Sequence, residues 1–270
     1  MQSLNEILGA VKTTQKEFVC EIHGAYMSPV TTVNGIVVTE NRCPKCLEIE
    51  RQAKAEQAAR AEAEAAAKQK LEEMQAALKR SCIPDEYAGK TFANFEAKTA
   101  NQAGAIKLSQ QFVNGWEKAK AGGYGLLFYG ACGTGKSHLG CAILHALMPG
   151  VSGVYTRTAD LIRYVRTSWG KDALISEFDA IRRFVDLDLL VIDEVGVQAG
   201  SANEQQILFS VIDARLAENR PTILLTNLAP NELVAPLGER LVDRIKAKCV
   251  PYAFVGKSYR KVLSADVFGS

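Results

Sequence analysis

Gly130-Ala-Cys-Gly-Thr-Gly-Lys136-Ser137 fills every fixed position of a phosphate-binding P-loop, and its surroundings are those the motif requires. The apolar run Leu126-Leu-Phe-Tyr129 leads into it and reads as a buried strand. The amphipathic stretch from His138 to Met148 leads out of it and reads as a helix. Strand, glycine loop and helix in that order place backbone N–H groups and a helix N-terminus around an anion. The predicted phosphate-binding run is Gly130, Ala131, Cys132, Gly133, Thr134, Gly135, Lys136, Ser137 and His138. Lys136 is expected to reach the β- and γ-phosphates of a nucleoside triphosphate, and Ser137 to hold Mg²⁺. Past the loop, His138 and His145 stand seven residues apart on one helix face, with no second ligand pair beside them.

Further along, Leu187-Asp-Leu-Leu-Val-Ile-Asp193-Glu194 is an apolar strand that ends on two carboxylates. After a P-loop, that ending assigns Asp193 to Mg²⁺ and Glu194 to the water that attacks the γ-phosphate. The strand Pro221-Thr-Ile-Leu-Leu-Thr-Asn227 ends on a polar pair, which makes Asn227 either a γ-phosphate sensor or a turn cap. Gly238-Glu-Arg240-Leu-Val-Asp-Arg244 carries two arginines four residues apart, one helical face. They form either a surface ion-pair pattern or an arginine finger for a neighbouring subunit's nucleotide.

The front of the chain is a different material. Cys20-Glu-Ile-His23 and Cys43-Pro-Lys-Cys46 are two pairs of metal-ligand residues at identical spacing. Three thiolates and an imidazole suit a tetrahedral Zn²⁺, leaving no open position, so the metal is expected to be structural. Between the pairs, Asn34-Gly35 followed by Ile36-Val-Val-Thr39 reads as a small hairpin, as in a zinc ribbon. So short a segment cannot bury a sufficient core, and zinc is expected to supply much of its folding free energy. From Leu47 to Arg80 the chain is Ala, Glu, Gln, Lys and Arg without Gly or Pro. Glu50–Lys54, Glu56–Arg60 and Glu64–Lys68 are paired at four-residue spacing in the favourable order. This predicts a solvated helix of about 50 Å, with Leu71, Met74 and Leu78 as a short apolar seam. The expected organisation is a zinc module over 1–46, a helical linker over 47–80, and an α/β nucleotide domain over 81–270.

The chain has 270 residues, 47% of them hydrophobic, and a net charge of +2 balanced on both sides of residue 80. Any nucleic-acid contact must therefore come from a local patch. No stretch is long and apolar enough to span a membrane, and Met1 to Ala10 lacks the pattern of a signal peptide. Seven cysteines beside a P-loop predict reduced thiols and a cytoplasmic protein.

The P-loop, Asp193-Glu194, the strand-end Asn227 and the late arginine pair together resemble an AAA+ ATPase, with a parallel sheet flanked by helices. More narrowly, five runs resemble DnaC-type replicative helicase loaders. They are Cys82-Ile-Pro with Thr91-Phe-Ala-Asn-Phe95, Val191-Ile-Asp-Glu-Val-Gly-Val-Gln198, Phe209-Ser-Val-Ile-Asp-Ala-Arg215, Pro221-Thr-Ile-Leu-Leu-Thr-Asn-Leu228 and Leu237-Gly-Glu-Arg-Leu-Val-Asp-Arg244. The resemblance covers roughly residues 82–262. IstB-type transposition helpers share the core but tend toward Asp-Asp and Thr-Ser-Gln where this chain has Asp193-Glu194 and Thr226-Asn227.

What the resemblance implies is an ATP-controlled protein that binds a hexameric replicative helicase through its N-terminal region and helps place it on single-stranded DNA. By matching position, Lys136, Asp193 and Glu194 serve catalysis and Asn227 is the sensor. Arg244 is the first candidate for a finger in trans, Arg240 the second, and Arg260 a candidate second sensor. Self-association dependent on nucleotide or helicase follows, with slow hydrolysis until DNA or helicase completes the site. The zinc pairs and the long helix depart from the core pattern and suggest a phage or mobile-element version. A transposition helper on duplex DNA and a non-hydrolysing ATP-switch adaptor are the alternatives. For single-stranded DNA, Arg163, Arg166 and Lys171 with Tyr164, Trp169 and Phe178 form a basic and aromatic track, although helix packing also explains several of its members.

Overall fold

The computed structural model describes residues 11–39, 41–196 and 201–259, with six residues of the long helix (67, 70, 71, 74, 75 and 78) described by backbone only. The seam expected at Leu71, Met74 and Leu78 and the sensor expected at Arg260 lie outside the described residues. The chain forms two compact units, 1–71 and 72–270.

The first unit holds an antiparallel ribbon, β1 (Val11–Cys20) with β2 (Gly24–Val33), to which the two-residue β3 (Ile36–Val37) adds. Asn34 and Gly35, both at positive φ, make the β2–β3 turn that the Asn-Gly pair predicts. The longer ribbon was not expected. Its β1 ends on Cys20, the first ligand residue, and the turn that follows carries His23. Only Val30 and Cys43 are buried among the described residues of this unit. Such a core does not hold a ribbon of this length by apolar burial alone.

Helix α1 (Pro44–Arg80) begins on the second ligand pair and is exposed at every described position from Glu48 to Glu73. The boundary between the units falls inside it. Its final turn is no solvated spacer: Ala77 joins the core of the second unit, and Ser81 just beyond is fully buried.

The second unit is a five-stranded parallel sheet with strand order β5-β6-β7-β4-β8. The strands are β4 (Gly125–Gly130), β5 (Gly153–Arg157), β6 (Leu189–Asp193), β7 (Thr222–Thr226) and β8 (Cys249–Phe254). Successive strand residues face opposite sides, and here both sides are apolar, the pattern of a sheet covered on both faces. Leu126, Phe128, Val191, Ile223 and Leu225 pack on one side with α2 (Ala100–Asn114), α3 (Trp116–Gly122) and α4 (Lys136–Leu147). Leu127, Leu190, Ile192 and Leu224 pack on the other with α5 (Thr158–Arg166), α6 (Glu177–Val185), α7 (Ala202–Ala217), α8 (Val234–Leu237) and α9 (Glu239–Lys248).

Both sheet edges are occupied. The Tyr155 backbone N–H donates to the Ser81 carbonyl (2.8 Å) on the β5 side. On the β8 side, Asn101 donates to the Ala253 carbonyl (2.8 Å) and accepts from the Val255 N–H (3.0 Å). Local pairing of this kind leaves fewer free backbone groups to template aggregation. All parallel strands end on the same side, and the β4, β6 and β7 tips carry the groups described next.

Candidate nucleotide site and metal centre

The loop between β4 and α4 takes the conformation its glycines permit. Gly133 and Gly135 lie at φ of +73° and +105°. A Cβ at Gly133 would collide with Ser258 Oγ, and one at Gly135 would stand 2.6 Å from the Phe95 ring. No other residue fits these two positions without moving a neighbour. Lys136 folds back across the loop, its Nζ donating to the carbonyls of Gly130 (2.7 Å) and Ala131 (2.8 Å) and to Asn227 Oδ1 at the β7 tip (3.0 Å). It is buried to 6% exposure, so an anion entering the loop meets a largely desolvated cation.

Asp193, at the β6 tip, accepts on one oxygen from Ser137 Oγ (2.6 Å) and from the Tyr155 hydroxyl (2.6 Å). Its other oxygen accepts from the Glu194 N–H (2.7 Å), and its carbonyl from Thr158 Oγ1 (2.9 Å). Glu194 is exposed and sits at φ +59°, a strained setting for a residue other than glycine. The loop that follows is stitched to β7, with Val195 N–H on the Leu225 carbonyl (3.0 Å) and Thr226 Oγ1 on the Val195 carbonyl (2.6 Å). The structure thus brings together Lys136, Ser137, Asp193, Glu194 and Asn227 from three strand tips. A hydroxyl and a carboxylate, hard oxygen donors side by side, fit Mg²⁺.

A cleft of about 440 Å³ opens beside the loop, lined by Tyr87, Phe95, Lys136, Ser137, His138 and Tyr259 among others. His138 Nε2 lies 2.9 Å from the Thr91 carbonyl, and its ring packs edge-on against Phe95. Burial pulls its basicity below the ordinary imidazole range, as it does for His145. Tyr259 donates its N–H to the Gly133 carbonyl (2.8 Å) and stands edge-on to Phe95, closing the cleft from the C-terminal side. Composition and spacing gave no signal for Tyr87, Tyr155 or Tyr259, each a single tyrosine in an unremarkable stretch.

The two arginines of α9 separate. Arg244 pairs with Asp213 on α7 of the same chain, while Arg240 is exposed beside Glu239, Asp243 and Lys246. In the basic and aromatic track, Arg163 pairs with Asp160 (2.8 Å). Arg166 pairs with Glu204 (3.0 Å) and lies over the Trp169 ring. Lys171 is exposed, as are Trp169 and Phe178. Exposed pairs of this kind are worth about 0–1 kcal/mol.

At the ribbon end, the ligand atoms of Cys20, His23, Cys43 and Cys46 all lie within 4.8 Å of one another. Cys20 Sγ is 3.7 Å from both Cys46 Sγ and His23 Nδ1, and His23 Nδ1 is 3.7 Å from Cys43 Sγ and 3.3 Å from Cys46 Sγ. A tetrahedral zinc with Zn–S of about 2.3 Å has S···S edges of about 3.8 Å, and its S···N edges are slightly shorter. The residues fit. Backbone N–H groups of His23 and Ile22 pull the Cys20 thiol down to about 6, and the Cys20 sulfur pushes Cys46 up to about 11. A dication is what allows all these sulfurs to be thiolates together. Cys141 and Cys249, by contrast, are buried and pushed well up by desolvation, as inert thiols are.

The fold and the loop define an AAA+ ATPase. Residues 53–266 match the family of IstB-like ATP binding proteins, and the chain belongs to that family. Several relatives of the chain are replicative helicase loaders. The replicative helicase loader DnaC of Buchnera aphidicola (strain Bp) is 30% identical over 203 residues, which span 74% of this chain and 81% of that protein. The DnaC of Escherichia coli K12 is 33% identical over 174 residues, 64% of this chain and 69% of that one. The crystal structure of the DnaC helicase loader superposes with a TM-score of 0.58 at 24% identity, covering 64% of this chain and all of that one. AMPPCP-bound DnaA from Aquifex aeolicus superposes at 0.54 and 21% identity, over 64% of this chain and 51% of that one. At these identities the structural likenesses establish the fold. No helix among the described residues is long and apolar enough to cross a membrane.

Proposed function

We propose that this protein is an ATP-controlled loader of a hexameric, DnaB-like replicative helicase onto single-stranded DNA at the start of replication, acting in the cytoplasm. The observation that carries the reading is a chain that joins Lys136 to Asn227 and Ser137 to Asp193 at its strand tips and is 33% identical to a DnaC loader over 69% of that protein. Lys136 binds the β- and γ-phosphates, and the N–H groups of Gly130 to His138 wrap them. Ser137 and Asp193 hold Mg²⁺, which when bound draws negative charge from the phosphates. Glu194, exposed at the β6 tip, orients and polarises the attacking water. Asn227 already touches the Lys136 ammonium, and it reports the γ-phosphate by exchanging that partner for the ligand.

An arginine from a neighbouring copy completes the site, Arg244 once it leaves Asp213 or the exposed Arg240. Hydrolysis is therefore slow until helicase or DNA assembles the copies. Arg163, Arg166 and Lys171 track single-stranded DNA by exchanging their carboxylate partners for phosphates. The zinc of Cys20, His23, Cys43 and Cys46 is structural and shapes the module, residues 1–46, that meets the helicase; α1 links it to the ATPase domain.

Native mass spectrometry of the full chain with a candidate replicative helicase, with and without ATP, tests the reading. A helicase hexamer carrying several copies, with zinc in the residual mass, is the expected result. ATP-dependent filaments on duplex DNA with no helicase complex would select the transposition helper instead.

A further inference from the structure

Asp193 is held from a side that the P-loop does not supply. The Tyr155 hydroxyl reaches across from the neighbouring strand β5 and donates to the same Asp193 oxygen that accepts from Ser137, both at 2.6 Å. Tyr155 is buried to 2% exposure.

Tyr155 is itself fixed by a segment outside the sheet. Its backbone N–H donates to the Ser81 carbonyl (2.8 Å), and its ring packs on Tyr87 with centroids 6.0 Å apart. Two residues along β5, Arg157 pairs with Glu86 (2.9 Å). Residues 81–87 follow directly on α1, so the chain leaving that helix is laid along β5 at the tyrosine that touches Asp193.

We propose that Tyr155 is a positioning residue for magnesium, holding Asp193 in the rotamer that meets Ser137, and that the 81–87 segment sets where its hydroxyl stands. The proposal rests on the reading that Ser137 and Asp193 hold the metal. Without the hydroxyl, the carboxylate keeps its charge but gains freedom to turn away from Ser137. The metal then has to pay the ordering cost on binding, and affinity for Mg²⁺ falls while affinity for the phosphates does not.

The test is thermal stabilisation of the full chain by ATP, titrated across Mg²⁺ concentration, for Tyr155→Phe against wild type, Ser137→Ala and Asp193→Asn. Tyr155→Phe should match wild type with ATP in the absence of Mg²⁺. It should need about fivefold more Mg²⁺ for the half-maximal metal-dependent shift, the scale of one net hydrogen bond. Tyr155→Met, which also lacks the hydroxyl, serves if the phenylalanine variant does not fold. Tyr87→Ala keeps the hydroxyl but removes the packing, and it should raise the Mg²⁺ midpoint by a smaller factor.

An unchanged midpoint in Tyr155→Phe, with Asp193→Asn shifted, overturns the proposal and leaves the magnesium reading standing. Loss of ATP stabilisation by Tyr155→Phe already without Mg²⁺ also overturns it, since that is the signature of general structural damage. If Ser137→Ala and Asp193→Asn leave the midpoint unmoved as well, the metal assignment itself fails and the proposal with it.

Discussion

Glu194 combines two properties rarely found together: a carboxylate free in solvent and a backbone held at φ +59°. Strain of this kind costs on the order of 1–3 kcal/mol and persists where the surroundings enforce it. Here the Asp193 carboxylate, the Leu225 carbonyl and the Thr226 hydroxyl do so. The conformation places an exposed carboxylate one residue past Asp193, at the end of β6. Replacing Glu194 by Gln keeps the shape and removes the base. Turnover should fall by about 10² or more while ATP affinity stays within a few-fold of wild type. Stopped-time phosphate release and equilibrium binding of a fluorescent ATP analogue separate the two effects. Unchanged turnover would remove Glu194 from the chemistry.

At the scale of elements, one residue ties several together. Arg215 of α7 is fully buried and donates to five oxygens. It donates to the carbonyls of Phe184 (2.6 Å), Val185 (3.1 Å) and Leu187 (3.0 Å) at the end of α6, to Pro221 (2.6 Å), and to Thr222 (2.9 Å) at the start of β7. Burial pulls its guanidinium down to about 9, while Asp188, Glu218 and Asp186 nearby favour the charge. Arg215→Met would leave those buried acceptors unsatisfied and should cost at least about 3 kcal/mol. Urea unfolding measures this; a loss under about 1 kcal/mol would mean water replaces the guanidinium. If zinc fills the Cys20, His23, Cys43 and Cys46 cluster, the β1–β2 ribbon should depend on it. Stripping zinc with a chelator should unmask Cys20, Cys43 and Cys46 to a thiol reagent and make the ribbon sensitive to protease. Nucleotide binding should stay as it was. Thiols equally reactive before and after chelation would argue against a bound metal.

For the whole molecule, the decisive question is whether a neighbour completes the nucleotide site. Arg244 is tied to Asp213 within its own chain, and Arg240 projects from the same helix into solvent. A finger acting in trans predicts complementation. Lys136→Ala and Arg244→Ala should each be inactive alone with helicase and DNA present. Their mixture should recover part of the turnover, because an intact loop from one copy meets an intact arginine from the other. The same experiment with Arg240→Ala assigns the role between the two. No recovery with either arginine would place the charge in cis.

The sequence by itself determined the phosphate loop, the Asp193-Glu194 strand end, the Asn227 tip and the two ligand pairs, because each is a local pattern. Glycines at fixed intervals, an apolar run ending on carboxylates, and paired cysteines constrain the backbone within a few residues, and that constraint is written in the chain. It also determined the parallel sheet, since strands and helices alternate from Cys82 onward. What only the tertiary structure decided depends on neighbours far apart in sequence. Tyr155 meets Asp193 because β5 lies beside β6, Ser81 meets β5 because the last turn of α1 docks on the core, and Arg215 finds its carbonyls where α6 and β7 converge. The strand that ends on Cys20 is silent in the sequence for a related reason: with almost no buried face, it carries little hydrophobic alternation. A side chain's partner across a sheet is fixed by strand order and register, and no periodicity along the chain encodes those.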